Sequence, residues 1–205
     1  MTRVILIVCV MAGAVFAQSM VWTGKALGYK GQAAELWIGL DGFNDLETAV
    51  KAGTIEANGR FSFELPPSLP DEALSLPEVT DDCGDVTAGL RLGSIASVMV
   101  KTASGVIGQM LHTNRRFDDF AAALGTGDLK LTAWFYANRD GFIKEDCDLE
   151  DGRQVSDVQF KKGWNVLTAY YTSRNKKRYA EIRNGYTQGL QRWFFMAQAP
   201  DPEQP

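Results

Sequence analysis

Two acidic clusters flank two of the cysteines. Asp81, Asp82 and Asp85 surround Cys83, while Glu145, Asp146, Asp148, Glu150 and Asp151 surround Cys147. Carboxylates gathered in this way repel one another unless a hard cation sits among their oxygens. Asp146, Asp148 and Glu150 have the alternate spacing of a calcium loop and are the calcium candidates; Ca2+ is the one cofactor this pattern would admit. The pattern departs from an EF-hand where that loop needs glycine, because Asp151 stands there and Gly152 comes one residue late. A solvated acidic loop needs no cation and is the commoner arrangement of surface carboxylates.

The single histidine bounds the catalytic chemistry. A Ser-His-Asp or Cys-His mechanism must run through His112, with Asp118 or Asp119 nearby as its partner, and a zinc site with several histidines cannot be built within one chain. No nucleophile elbow, phosphate loop or metal-ligand spacing accompanies His112, so no catalytic residue is assigned. Paired carboxylates for glycoside hydrolysis are the remaining enzymatic route, since their separation is set in three dimensions. Trp37 and Trp134 sit opposite the apolar residues of their strands, which makes them the candidates for stacking on a sugar ring. Core packing and cross-strand pairing are the commoner duties of strand aromatics. The basic run at 174–178 and Arg115-Arg116 read as solvated charge at turns, or as a docking point for an anionic envelope polymer.

These side chains are carried by a chain of 205 residues with 45% hydrophobic and 11% aromatic content, enough for a packed core. The formal charge of −4 gives no counterion-release gain on a polyanion, which argues against nucleic acid as a partner. Residues 1–17 read as a signal peptide. Arg3 supplies the positive end, 4–11 is an apolar run, and Val15-Phe16-Ala17 precedes a cleavage that leaves Gln18 first. The apolar stretch is shorter than the ~20 residues of a spanning helix, and no transmembrane segment is expected after cleavage. Cleavage removes Cys9 and leaves Cys83 and Cys147, which in an exported protein are most simply a disulfide.

Short apolar or aromatic runs ended by turn signals dominate the rest. Strands are expected at 20–29 and 34–40, then a hairpin over 54–65. There Asn58-Gly59 suits the two centres of a type I′ turn, and Phe61, Phe63 and Leu65 share one face. Residues 66–85 are rich in proline and acid and read as a linker or a long loop over the surface, with a candidate sub-boundary near 66–88. A hairpin over 88–112 comes next, then a short helix over 113–124 capped by Thr113 or Asn114, or in its place a single helical turn in a loop. Five runs from 129 to 183 and a sixth at 190–196 read as an antiparallel β-meander. In the first of them both faces look covered, as in a central strand. Residues 199–205 are expected to be a disordered tail.

The opening strands resemble a known family. Gly24-Lys25-Ala26, Ala34-Glu35-Leu36-Trp37-Ile38 and the hairpin Gly53 to Pro66, with its G-x-F-x-F-x-L-P pattern, are similar to carboxypeptidase-regulatory-like, transthyretin-type β-sandwich modules. The resemblance covers 20–67 and departs where the family usually has Asp in place of Asn58. It implies a β-sandwich and a non-catalytic module. The remainder, through Tyr136-Ala137-Asn138-Arg139-Asp140 and Lys161-Lys162-Gly163-Trp164-Asn165-Val166, resembles exported bacterial proteins of unknown function. The expectation is an all-β protein: an antiparallel β-sandwich over 18–198 with a transthyretin-like N-terminal part and a C-terminal meander. Its expected place is the periplasm, the cell envelope or the exterior. Its expected partner is a cell-envelope component or another exported protein. Its expected role is structural or binding, with glycan binding and carboxylate hydrolysis as alternatives.

Overall fold

The structure is a computed structural model and describes residues 20–39, 48–79, 82–95, 97–117, 122–123, 128–150, 152–174, 177–185 and 191–198. The signal peptide, Asp81, Asp118, Asp119, Asp151 and the 199–205 tail lie outside these residues. The class is all-β, as the turn-punctuated runs imply. The strands are β1 Val21–Lys25, β2 Ala34–Ile38, β3 Val50–Ile55, β4 Arg60–Glu64, β5 Gly84–Val86, β6 Leu92–Ile95 and β7 Val98–Thr102. They continue as β8 Gly105–Thr113, β9 Leu129–Ala137, β10 Gly141–Leu149, β11 Gly152–Phe160, β12 Gly163–Arg174, β13 Lys177–Asn184 and β14 Arg192–Ala197. Among the described residues all fourteen belong to one sheet, ordered β1-β4-β3-β2-β7-β8-β9-β12-β13-β11-β10-β5, with β14 beside β8 and β6 beside β9.

The β3–β4 hairpin follows its alternation. Phe61, Phe63 and Leu65 are buried while Arg60, Ser62 and Glu64 are exposed. Its turn differs from the expected one. Gly59 N–H donates to Glu56 O at 2.8 Å and Glu56 N–H to Arg60 O at 2.7 Å, which makes a three-residue loop over 57–59. Only Gly59 takes positive φ there, at 83°. Asn58 stays out of that region and uses its side chain instead, Oδ1 accepting from Arg60 N–H at 2.8 Å.

The N-terminal strands close on themselves. β14 pairs with one edge of β8, and on its other edge Phe194 bridges Leu27, just past the end of β1. Leu27 N–H donates to Trp193 O and Phe195 N–H to Leu27 O, so the run β1-β4-β3-β2-β7-β8-β14 returns to its start. Its interior holds Leu36, Ile38, Ile55, Phe63, Val98 and Met110, and Trp134 of β9 packs into the same cluster. Strands from both halves of the chain therefore share this core. Residues 66–79 run over the surface as a loop pinned at several points. Leu69 and Leu74 are buried, Trp164 Nε1 donates to Pro66 O at 2.6 Å, and Arg91 donates to the carbonyls of Asp71 and Leu74, each at 2.6 Å.

The second half keeps the local hairpins β10–β11 and β12–β13 but not the neighbour order of a simple meander. β12 pairs with β9, and β13 is inserted between β12 and β11, parallel to β11. Turn chemistry fixes a hairpin locally, whereas lateral order depends on distant edges. Two details permit the insertion. Gly152 lies so close to β13 that a Cβ would stand 1.6 Å from Arg178 O. At the other end Asn184 prolongs the ladder with its side chain, donating from Nδ2 to Gln159 O at 2.7 Å and accepting Gln159 N–H at 2.9 Å. Thr113, expected as a helix cap, is the last residue of β8, and much of the expected helix lies outside the described residues.

Candidate functional site

The inward face of the second half is built by registered alternation. On β10 it carries Ile143, Glu145 and Cys147. These stand opposite Val158, Ser156 and Gln154 on β11, and Ser156 pairs in turn with Ile182 on β13. Leu167 of β12 and Phe135 of β9 continue the face. A cavity of about 370 Å³ lies against it. The rest of the wall is β6, the ladder neighbour of β9, with Leu92, Gly93 and Ser94, and the segment from Ala73 to Glu78. That wall is fixed by hydrogen bonds in both directions between Ser75 and Leu92, at 2.9 and 2.8 Å. Gly93 allows the approach, since a Cβ there would meet Leu69 Cδ1 at 2.5 Å.

The cavity mixes apolar side chains with Ser75, Ser94, Ser156, Gln154, Glu78 and Glu145. Glu145 is buried, with 6% of its surface exposed, and its Oε2 accepts a hydrogen bond from Gln154 Nε2 at 3.1 Å. Ser156, also buried, is its cross-strand neighbour, and Glu78 lines the same space. Cys147 lies two residues from Glu145 on the same face and is disulfide-bonded to Cys83, with Cα atoms 5.3 Å apart. Cys83 precedes β5, the outer neighbour of β10, and its carbonyl accepts Asp146 N–H at 3.0 Å. Sequence reasoning placed Glu145 in an acidic cluster but not in a cavity.

The calcium candidates alternate outward on and just past β10 and are exposed. Alternate strand residues stand about 7 Å apart, too far for neighbouring carboxylates to share one cation without a loop to fold them together. Asp146 is engaged by Arg153 in a two-pronged pair at 2.7 Å and 2.7 Å, which holds its carboxyl below the usual range. Among the described residues no three His, Cys, Asp or Glu side chains converge as a metal site.

The two stacking candidates have different fates. Trp134 is fully buried, stacked on Trp193 at 5.5 Å and edge-on to Trp22 at 5.2 Å. The β9 face that carries it covers the N-terminal core, so Trp134 is closed to a solvent-borne sugar. Trp37 is half-buried. Its Nε1 donates to Glu35 Oε2 at 3.0 Å, and Lys101 Nζ stands 4.3 Å from its ring centre.

His112 is buried beside Trp193, with its Nδ1 2.9 Å from Thr132 Oγ1; Gln191 Nε2 donates to the same oxygen at 2.7 Å. Burial pushes its pKa down from 6.5 to about 4, against a Gln191 backbone hydrogen bond that acts the other way. The unfolded chain therefore takes up this proton near pH 6.5 and the folded chain only near pH 4. Stability from this group is full above pH 6.5 and falls as the pH drops towards 4, by about 1.4 kcal/mol per unit and about 3 kcal/mol in all. Urea unfolding at pH 7.5, 5.5 and 4.5 should show that slope in the natural chain and a flatter one in His112→Gln. Equal slopes would remove His112 as its source.

Among the described residues no helix is long and apolar enough to cross a membrane. The paired cysteines fit an exported protein. In comparisons with known proteins, no family model, no curated protein and no solved structure matches this chain.

Proposed function

We propose that the protein is an exported, non-catalytic binding protein of the cell envelope that holds a small, largely apolar ligand in the cavity between the inward face of β10–β13 and β6. The observation that carries this reading is a cavity of about 370 Å³ walled largely by apolar side chains, with the buried Glu145 and Ser156 among its polar groups. That is the usual build of a small-molecule site, with apolar walls for affinity and few polar groups for orientation. The signal-like pattern at 1–17 and the disulfide support export. The resemblance of 20–67 to non-catalytic transthyretin-type modules supports a binding role, with an envelope component or another exported protein as the partner.

The test is a titration of the oxidised chain with N-phenyl-1-naphthylamine, a neutral apolar fluorophore. Saturable uptake at one site is expected, weakened tenfold or more by Ser94→Trp and by Ile143→Trp, each of which fills the cavity from a different wall. Absent saturation, or uptake unchanged in both folded variants, sinks the reading. A hydrolase is the second reading, favoured by Glu78 and Glu145 lining one cavity. Release of nitrophenol from nitrophenyl glycosides, abolished in Glu145→Gln, would decide for it.

A further inference from the structure

We infer that the cavity selects ligands with a cationic head, an amine on an apolar body, and that Glu145 is the residue that recognises the head. This rests on the cavity being a ligand site, as proposed above.

Glu145 brings a carboxylate into a space walled by Leu92, Phe135, Val158, Phe160, Leu167 and Ile182. Its side chain is 6% exposed. Gln154 contributes one neutral N–H to Oε2, and among the described residues no Lys or Arg pairs with the carboxylate. Its ladder neighbours on either side, Ser156 and Gly84, carry no charge. The adjacent residues Lys144 and Asp146 alternate to the exposed face of β10. A carboxylate withdrawn from water with a single neutral donor is poorly compensated. An ammonium would supply both the opposite charge and a charge-assisted hydrogen bond, while a bound alcohol would supply only a neutral donor.

The surroundings favour the same sign. Glu78 lines the same space, and Asp82 is exposed just before the edge strand that flanks Glu145. The chain as a whole carries −4. An anionic head would meet like charge at Glu145, and cations are steered toward it. The volume, about 370 Å³, falls at the small end of ordinary ligand cavities, which suits a short aliphatic or aromatic body.

The experiment displaces N-phenyl-1-naphthylamine from the oxidised full chain with octylamine, octan-1-ol and octanoate, which share one tail and differ in the head. Octylamine should bind at least tenfold tighter than either of the others. In Glu145→Gln its affinity should fall tenfold or more, to the level of octanol, with octanol binding unchanged. Equal displacement by all three, or a preference for octanoate, overturns the amine inference and leaves the ligand cavity standing. No uptake of the fluorophore at all removes the cavity reading and the inference with it. Should Glu145→Gln fail to fold, the order of the three heads on the natural chain still decides.

Discussion

Trp134→Ala lowers the unfolding free energy by about 3–5 kcal/mol, the range for emptying a buried indole site in a close-packed core. The position warrants the upper part of that range. Trp134 is fully buried, stacks on Trp193, and meets Trp22 and Phe63 edge-on. Each such aromatic pair adds about 0.5–1.5 kcal/mol beyond its buried area. The side chain belongs to β9, yet its partners lie on β1, β4 and β14, so truncation loosens the contact between the two halves of the chain. At this length about 2–4 °C accompany each kcal/mol, which sets an expected fall in Tm of about 10 °C. Trp134→Phe separates ring packing from the ring nitrogen. Among the described residues Nε1 has no hydrogen-bond partner, a state that costs about 1–3 kcal/mol for a buried donor. Phenylalanine removes that donor and part of the ring together, so its net effect stays within about 1 kcal/mol. Urea unfolding of both variants checks the pair. A Trp134→Phe as costly as Trp134→Ala would mean that the nitrogen has a partner and that the packing argument is incomplete.

Trp134 also marks the limit of what alternation along a strand can tell. The pattern in β9 shows two covered faces, and β9 is indeed flanked by β12 on one edge and by β8 and β6 on the other. Alternation does not say which cover each face receives, and the face opposite Leu131 and Phe135 carries Trp134 into the N-terminal core. The β3–β4 hairpin was legible because its information is local: a glycine turn and an alternation of period two. The pairing of Cys83 with Cys147 was legible because cleavage would leave no other candidate. The order β9-β12-β13-β11-β10 was not, since it depends on Gly152 and Asn184 fitting partners reached only after folding. Glu145 was hidden for the same reason. In sequence it is one acid among several, and its place between β5 and β11, on the face that lines the cavity, is set only by the assembled sheet.

Replacing both Cys83 and Cys147 by serine should cost about 4 kcal/mol, because the bond closes 64 positions of chain whose freedom returns to the unfolded state. The location adds a local consequence to that global one. β5 is an edge strand of three residues, held to β10 by the pairs Val86–Ile143, Asp85–Lys144 and Gly84–Glu145. A strand that short has little stability of its own. Without the bond β5 should fray from β10, and Asp146 N–H should lose its acceptor, Cys83 O, now at 3.0 Å. The opened edge lies beside Glu145, so water would reach that carboxylate and octylamine binding should weaken along with stability. Three readouts on the double variant test this: the urea midpoint, hydrogen exchange at the Asp146 amide, and octylamine affinity. A loss below about 1 kcal/mol, with the Asp146 amide still protected, would show that the β5–β10 ladder holds without the bond. Loss of global stability with unchanged octylamine affinity would separate the two roles: the bond would act on the unfolded chain alone, and the Glu145 end of the cavity would owe its shape to the β10–β11 pairing.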